Sequence, residues 1–200
     1  MQTAIMTKAT QARTLKTRAR LLEAARQVVE EQGYPGLRTE EVVKRAGTAK
    51  GTFFAHFPDK EALLDHLIGE DIDGILEEME ALPAPKTVPD LIESLMPLVT
   101  YMAQDRDIFD VIIRRSGAAA IEEIGPIAVT FERQFGIFIH WLSNPAFRQD
   151  VSPDLLSEGV QAFLVQAVAL NFCALHNTIA LPDRLLPYLE AWLIPGPQRS

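Results

Sequence analysis

A single cysteine, Cys173, stands in a chain of 200 residues, and that scarcity excludes an internal disulfide framework and any paired-cysteine metal site. A reducing compartment fits. The four histidines, His56, His66, His140 and His176, show neither HxxxH nor HExxH spacing. There is no GxSxG nucleophile elbow, and no glycine-rich phosphate loop follows a strand pattern. These gaps remove the common enzyme signatures and give no metal or cofactor to assign. Cys173 and His176, three apart, have the spacing of a nucleophile and base on one helix face; a buried cysteine beside a helix-end histidine is the plainer alternative. The apolar stretch 160–175 is interrupted by Gln161, Gln166 and Asn171 and is too short to span a bilayer, so no membrane partner is expected. The opening residues, MQTAIMTKAT, lack the apolar core and cleavage site of a secretory signal, which points to the cytoplasm.

What is present begins with charge. The chain carries 27 acidic and 19 basic side chains, but they are unevenly placed. Residues 1–60 hold eleven Lys/Arg against six Asp/Glu, whereas the remaining 140 hold eight against twenty-one. A basic segment joined to a strongly acidic one suggests a polyanion-binding module attached to a domain with another task. The alternative is a chance excess on solvated faces.

From Leu21 the apolar residues fall at Leu21, Leu22, Ala25, Val28 and Val29, one face of a 3.6-residue period, and Gly33 supplies the C-terminal stop. Thr39 stands where an N-cap belongs, ahead of Glu40 and Glu41. A short second helix then buries Val42, Val43 and Ala46. Gly47 ends it, Thr48 is placed to cap a third helix running through Phe57, and Pro58-Asp59 start the next. Two short helices about a tight glycine turn are the sequence form of a helix-turn-helix. On the third helix Phe53 and Phe57 share the side that packs inward. The opposite side presents Thr48, Gly51, Thr52 and Ala55, flanked by Lys50, Phe54 and His56. Small and hydroxyl side chains bordered by cations cover a core poorly but suit a helix entering a major groove.

Residues 17–64, TRARLLEAARQVVEEQGYPGLRTEEVVKRAGTAKGTFFAHFPDKEALL, resemble the N-terminal domain of the tetracycline-repressor (TetR) family of bacterial transcription regulators. The resemblance covers about a quarter of the chain. It implies an all-α homodimer in which the third helix reads a double-stranded DNA operator and a variable C-terminal domain holds the dimer interface and a small-molecule effector. Carried over by position, Thr39 resembles a phosphate-contacting hydroxyl, Lys50, Gly51, Thr52 and Ala55 the base-proximal stretch, and His56 and Lys60 backbone contacts. Phe53-Phe54-Ala55 departs from the family, many of whose members have a leucine and two tyrosines, or a tyrosine and a tryptophan, there. Base readout then leans on Lys50, Thr48 and Thr52. Phe54 is either core or backbone contact, and His56 taken alone reads equally as an interfacial histidine.

These readings divide the chain into a DNA-binding helix-turn-helix domain, 1–60, with 1–14 a flexible basic arm, and a helical regulatory and dimerisation domain, 61–200. The arm up to Arg20, with Lys8, Arg13, Lys16 and Arg18, either tracks a minor groove or moves freely. A connecting helix is expected from Lys60 to about Met79, its acidic residues Glu70, Asp71, Asp73, Glu77, Glu78 and Glu80 forming a solvated face, with a metal site the alternative. The proline loop 83–89 follows, then helices near 90–103, kinked at Pro97, 107–123, 126–143, 153–177 and 183–194, the start of the last made doubtful by Pro187. Phe131, Phe135 and Phe138, with Trp141 beside them, form a stripe that is either core or the wall of a ligand pocket. Residues 160–175, apolar nearly all round, and the stripe Leu185, Leu186, Leu189, Trp192, Leu193 are the surfaces through which the last two helices would pair in a homodimer. Three functions stay open: a ligand-released repressor, a DNA-binding protein answering to a protein partner, and a small-molecule binder or enzyme without DNA binding.

Overall fold

The computed structural model describes residues 2–116 and 124–195, with side chains from Gln11 onward. The described residues form nine α-helices and one 3-10 turn, with no strand. They divide into two compact units, Met1–Leu67 and Ile68–Ser200.

In the first unit α1 (Gln2–Gln32) buries Leu21, Ala24, Ala25 and Val28. Gly33, at a φ of 71°, takes the chain out of the helix, its N–H donating to Val29 O at 2.8 Å. The turn Tyr34–Gly36 leads to α2 (Thr39–Arg45), which buries Val42. Gly47, at a φ of 60°, makes the tight connection to α3 (Lys50–Phe54). Phe53 and Phe57 are both buried, their rings 5.7 Å apart. Each contributes roughly 1.5–3 kcal/mol through burial, enough to seat a five-residue helix with almost no intrinsic stability. Asp59 Oδ1 accepts from the Ala62 N–H at 2.7 Å and so caps the start of α4 (Lys60–Glu80).

Several expectations for this unit are corrected. Helix α1 runs back to Gln2 through the segment expected as a flexible arm. Residues 11–16 are exposed there, so no apolar period marks them, but their Ala, Gln, Arg, Leu and Lys are strong helix formers. The Lys8 side chain lies outside the described residues. Arg38, in extended backbone, occupies the N-cap of α2 and Thr39 is its first residue. Ala49 likewise precedes α3, with no side-chain cap; Thr48 Oγ1 is buried without a hydrogen-bond partner. Helix α3 ends at Phe54, and a turn closed by Phe57 N to Phe53 O, 2.8 Å, carries Ala55 and His56.

In the second unit the α4 residues Ile68, Ile72, Leu76 and Met79 are buried. Helix α5 (Val88–Ala103) is capped by Thr87 Oγ1, α6 (Arg106–Arg115) by Asp105 Oδ1 and α8 (Pro153–Asn171) by Ser152 Oγ. Helix α7 (Pro126–Leu142) starts with proline at its first position, and α9 (Leu181–Leu193) closes the unit. Helix α8 packs between α7 and α9, and α5 lies against both α8 and α9. Two glycines permit close approach. A Cβ on Gly69 would fall 2.6 Å from Pro126 Cβ, and one on Gly159 would fall 2.2 Å from Trp192 Nε1. Pro97 and Pro187 stand inside α5 and α9 without ending them.

The expected helix 153–177 stops at Asn171. Cys173 and His176 then lie in a turn in which Cys173 O accepts from the His176 and Asn177 N–H groups, and the Arg184 guanidinium donates to His176 O. They do not share a helix face. Helix α6 ends at Arg115; residues 117–123 of the helix expected there lie outside the described residues. The acidic face of α4 is not wholly solvated either. Arg133 of α7 grips Glu80 through two hydrogen bonds of 2.8 and 2.7 Å and Asp73 through its carboxylate at 2.6 Å and its backbone carbonyl at 3.2 Å, while the Tyr101 hydroxyl donates to Asp71 at 2.9 Å.

Candidate nucleic-acid interface

The hydrophobic seat of α3 fixes what the helix turns outward. With Phe53 and Phe57 buried, Lys50, Gly51, Phe54 and Ala55 are exposed, and Thr52 and His56 are half-buried. A Cβ placed on Gly51 would meet no atom within 4 Å, so the backbone is bare on that side. Phe54 is 48% exposed while its ring sits edge-on to Phe53 at 5.4 Å. Thr39 at the start of α2 is half-buried, and Lys60 at the start of α4 is exposed. Thr48 differs from the rest, since its hydroxyl points into the protein. The other eight residues expected at a DNA surface have at least part of their surface free for contact.

Two features of this surface escaped the sequence reading. Lys50 Nζ pairs with Glu40 Oε1 at 2.6 Å, the lysine reaching back from α3 to the first turn of α2. That hydrogen bond, with the lysine's charge, holds the Glu40 carboxyl below its ordinary pKa. Arg18, expected in an arm that either tracks a minor groove or moves freely, instead turns inward. Its Nη1 donates to His56 O at 2.8 Å, Nη2 meets His66 Nε2, and the guanidinium lies 4.4 Å above the Phe57 ring. Arg18 thereby ties α1 to the turn after α3, where His56 is half-buried. No local pattern signals either contact, because the partners are ten and 38 residues apart.

In the second unit the stripe on α7 is largely interior. Phe131, Phe138 and Trp141 are buried, Phe135 is half-buried, and Phe138 stacks on Trp141 with centroids 6.4 Å apart. Gln134, three residues from Phe131 and four from Phe138, is buried with them, as is Thr130, whose hydroxyl donates to Ile127 O at 2.7 Å. The stripe therefore carries polar groups that its aromatic spacing did not advertise. On α8 and α9, Ala162, Gln166, Ala169, Pro187 and Ala191 are exposed, so the nearly all-apolar α8 keeps one flank uncovered within a single chain. Among the described residues no group of three or more His, Cys, Asp or Glu is placed to hold a metal, and no helix is long and apolar enough to cross a membrane.

Fold and surface together define an all-helical protein in two units, the first a helix-turn-helix module whose short third helix is bare on its outer side. Residues 21–67 match the family model described as bacterial regulatory proteins, tetR family. The fatty acid metabolism regulator protein of Bacillus subtilis (strain 168) is 35% identical over 60 residues, 30% of this chain and 31% of that one. The chain spans 29% and 46% of the length of two further curated relatives it matches. Likeness of fold extends much further. The crystal structure of Thermus thermophilus FadR, a TetR-family transcriptional repressor in complex with lauroyl-CoA, superposes with a TM-score of 0.64 at 21% identity, over 92% of this chain and 98% of that one. RolR in complex with resorcinol does so with a TM-score of 0.67 at 22% identity, over 92% and 91%.

Proposed function

We propose that the chain is a ligand-responsive transcriptional regulator of the cytoplasm, a repressor that leaves a palindromic operator when a small apolar or aromatic molecule binds. The observation that carries this reading is the outer side of α3, where Lys50, the unobstructed Gly51, Thr52 and Ala55 lie opposite the buried Phe53 and Phe57. Lys50 and Thr52 meet base edges there, Gly51 lets the backbone approach, and Thr39, Phe54, His56 and Lys60 meet the sugar-phosphate backbone. Thr48 positions the turn from within. The uncovered flank of α8 and α9 supplies the homodimer contact that sets two copies of α3 on successive major grooves, about 34–36 Å apart.

The effector lodges against Phe131, Phe135, Phe138 and Trp141, with Gln134 as a polar anchor. Lauroyl-CoA and resorcinol in the two structural relatives support a ligand that joins an apolar part, an acyl chain or an aromatic ring, to polar groups. Selection of bound duplexes from a random pool tests the first half. A palindrome is the expected product, with binding that falls steeply with salt, at about -0.9 in log-log slope per phosphate neutralised, and Lys60→Ala flattening that slope. Acyl-CoA thioesters and phenols, screened by thermal shift and then added to the protein-operator complex, test the second half. Stabilising ligands that leave operator affinity untouched would hand control to a protein partner instead.

A further inference from the structure

We infer that Glu40 is a base-reading residue, acting with Lys50 as one unit that favours a G·C pair in each half of the operator. The inference rests on the DNA-binding reading above and adds a specificity determinant to it. Lys50 Nζ and Glu40 Oε1 are 2.6 Å apart while the two side chains are 57% and 69% exposed. An ion pair this open does little for the fold, and the α2–α3 contact is already held by the buried Val42 and Phe53. What the pair does is place an ammonium donor and a carboxylate acceptor side by side at the surface, the lysine immediately preceding Gly51 in the chain.

That arrangement is a poor match for a phosphate, because Glu40 would repel the anion that Lys50 attracts. It matches the edge of a base pair, which presents donors and acceptors side by side. In the major groove a G·C pair presents the cytosine N4 amino group beside guanine O6 and then N7. Glu40 accepts from N4 while Lys50 donates to O6 and N7, two acceptors lying together. An A·T pair instead sets its single amino group between two separated acceptors and adds the thymine methyl, so the ammonium meets one acceptor at a time. Glu40 is ionised at neutral pH, as any carboxylate of ordinary pKa is, and hence a pure acceptor; the hydrogen bond from Lys50 holds its pKa lower still.

The test is duplex selection from a random pool with the full chain, its Glu40→Gln variant and its Lys50→Gln variant, with melting curves to check that all three fold alike. The expected result is one G·C position per half-site in the parent profile. In both variants preference at that same position falls by roughly tenfold, the other positions being retained. A palindrome from the parent with an unchanged base profile in Glu40→Gln overturns this inference and leaves the DNA-binding reading standing. So does a uniform rise in affinity for every duplex, which would make Glu40 a charge facing the backbone. Effects of the two variants at different positions also overturn it. If the parent selects no duplex, both readings fall.

Discussion

Replacing Gly51 should move stability and DNA binding in opposite directions. A Cβ at this position meets no atom within 4 Å, so alanine pays no steric cost in the free protein. Glycine is about 0.8–1 kcal/mol worse than alanine in a helix interior. Gly51 is the second residue of a five-residue helix, so about half of that, roughly 0.5 kcal/mol, is a fair expectation for Gly51→Ala. For a unit of this size that raises the melting temperature by about 2–4 °C. Valine is a weaker helix former than alanine, and Gly51→Val should melt close to the parent. On DNA the order reverses. The branched side chain holds the backbone away from the base edges, and losing one good contact at about 1–3 kcal/mol weakens operator binding by about fivefold to 150-fold. Thermal melts by circular dichroism and fluorescence anisotropy on the selected operator supply the two numbers. A Gly51→Val protein that binds its operator as tightly as the parent refutes the assignment of the outer face. A Gly51→Ala protein that melts well below the parent shows that something does pack there.

Three further outcomes follow from contacts within each unit. Gly159→Ala should cost about 1–3 kcal/mol in urea unfolding, since the new methyl would sit 2.2 Å from Trp192 Nε1 and disturb its 3.1 Å bond to Leu156 O. Arg18→Met should destabilise the first unit by about 1–2 kcal/mol through loss of the bond to His56 O and the stack on Phe57, measured as a lower melting temperature. Hydrogen bonding to Arg133 holds Glu80 below its ordinary pKa of 4.5, so its ion pair adds stability above that pH and loses it as the pH falls through the lowered value. Glu80→Gln should therefore narrow its deficit against the parent in acid melts below about pH 4.5, and a deficit constant with pH would contradict the assignment.

The first unit was readable because its information is local. Leu21, Ala25 and Val28 repeat at helical spacing, Gly33 and Gly47 mark the two turns, and Phe53 and Phe57 are four apart, so each feature lies within one turn of the residue that explains it. Periodicity names the face a side chain takes; it does not name a partner on another element. Arg18 reaches His56 O and His66, 38 and 48 residues away, and Arg133 reaches back 53 and 60 residues to Glu80 and Asp73. Nothing near Arg18 distinguishes it from the exposed Arg13 and Lys16. The acids of α4 were legible as a cluster but not as the other half of a contact with α7. The C-terminal end of α8 was misread for a related reason. The apolar run continues past Asn171, and what stops the helix is a turn held by Arg184 from the following element.

The grip of Arg133 on α4 also has a mechanical meaning. Asp73 and Glu80 are seven residues apart, about two turns or 10 Å along the axis, and a single guanidinium holds both. One contact alone would let the helix pivot about it. Two contacts on the same stripe fix both position along the axis and rotation about it, because a slide of one residue moves each carboxylate by about 1.5 Å and turns it by about 100°. Within the second unit, α7 and this stretch of α4 are therefore geared together. A displacement of α7 past this stretch of α4 would have to carry it along or break three charge-assisted bonds, two to Glu80 and one to Asp73.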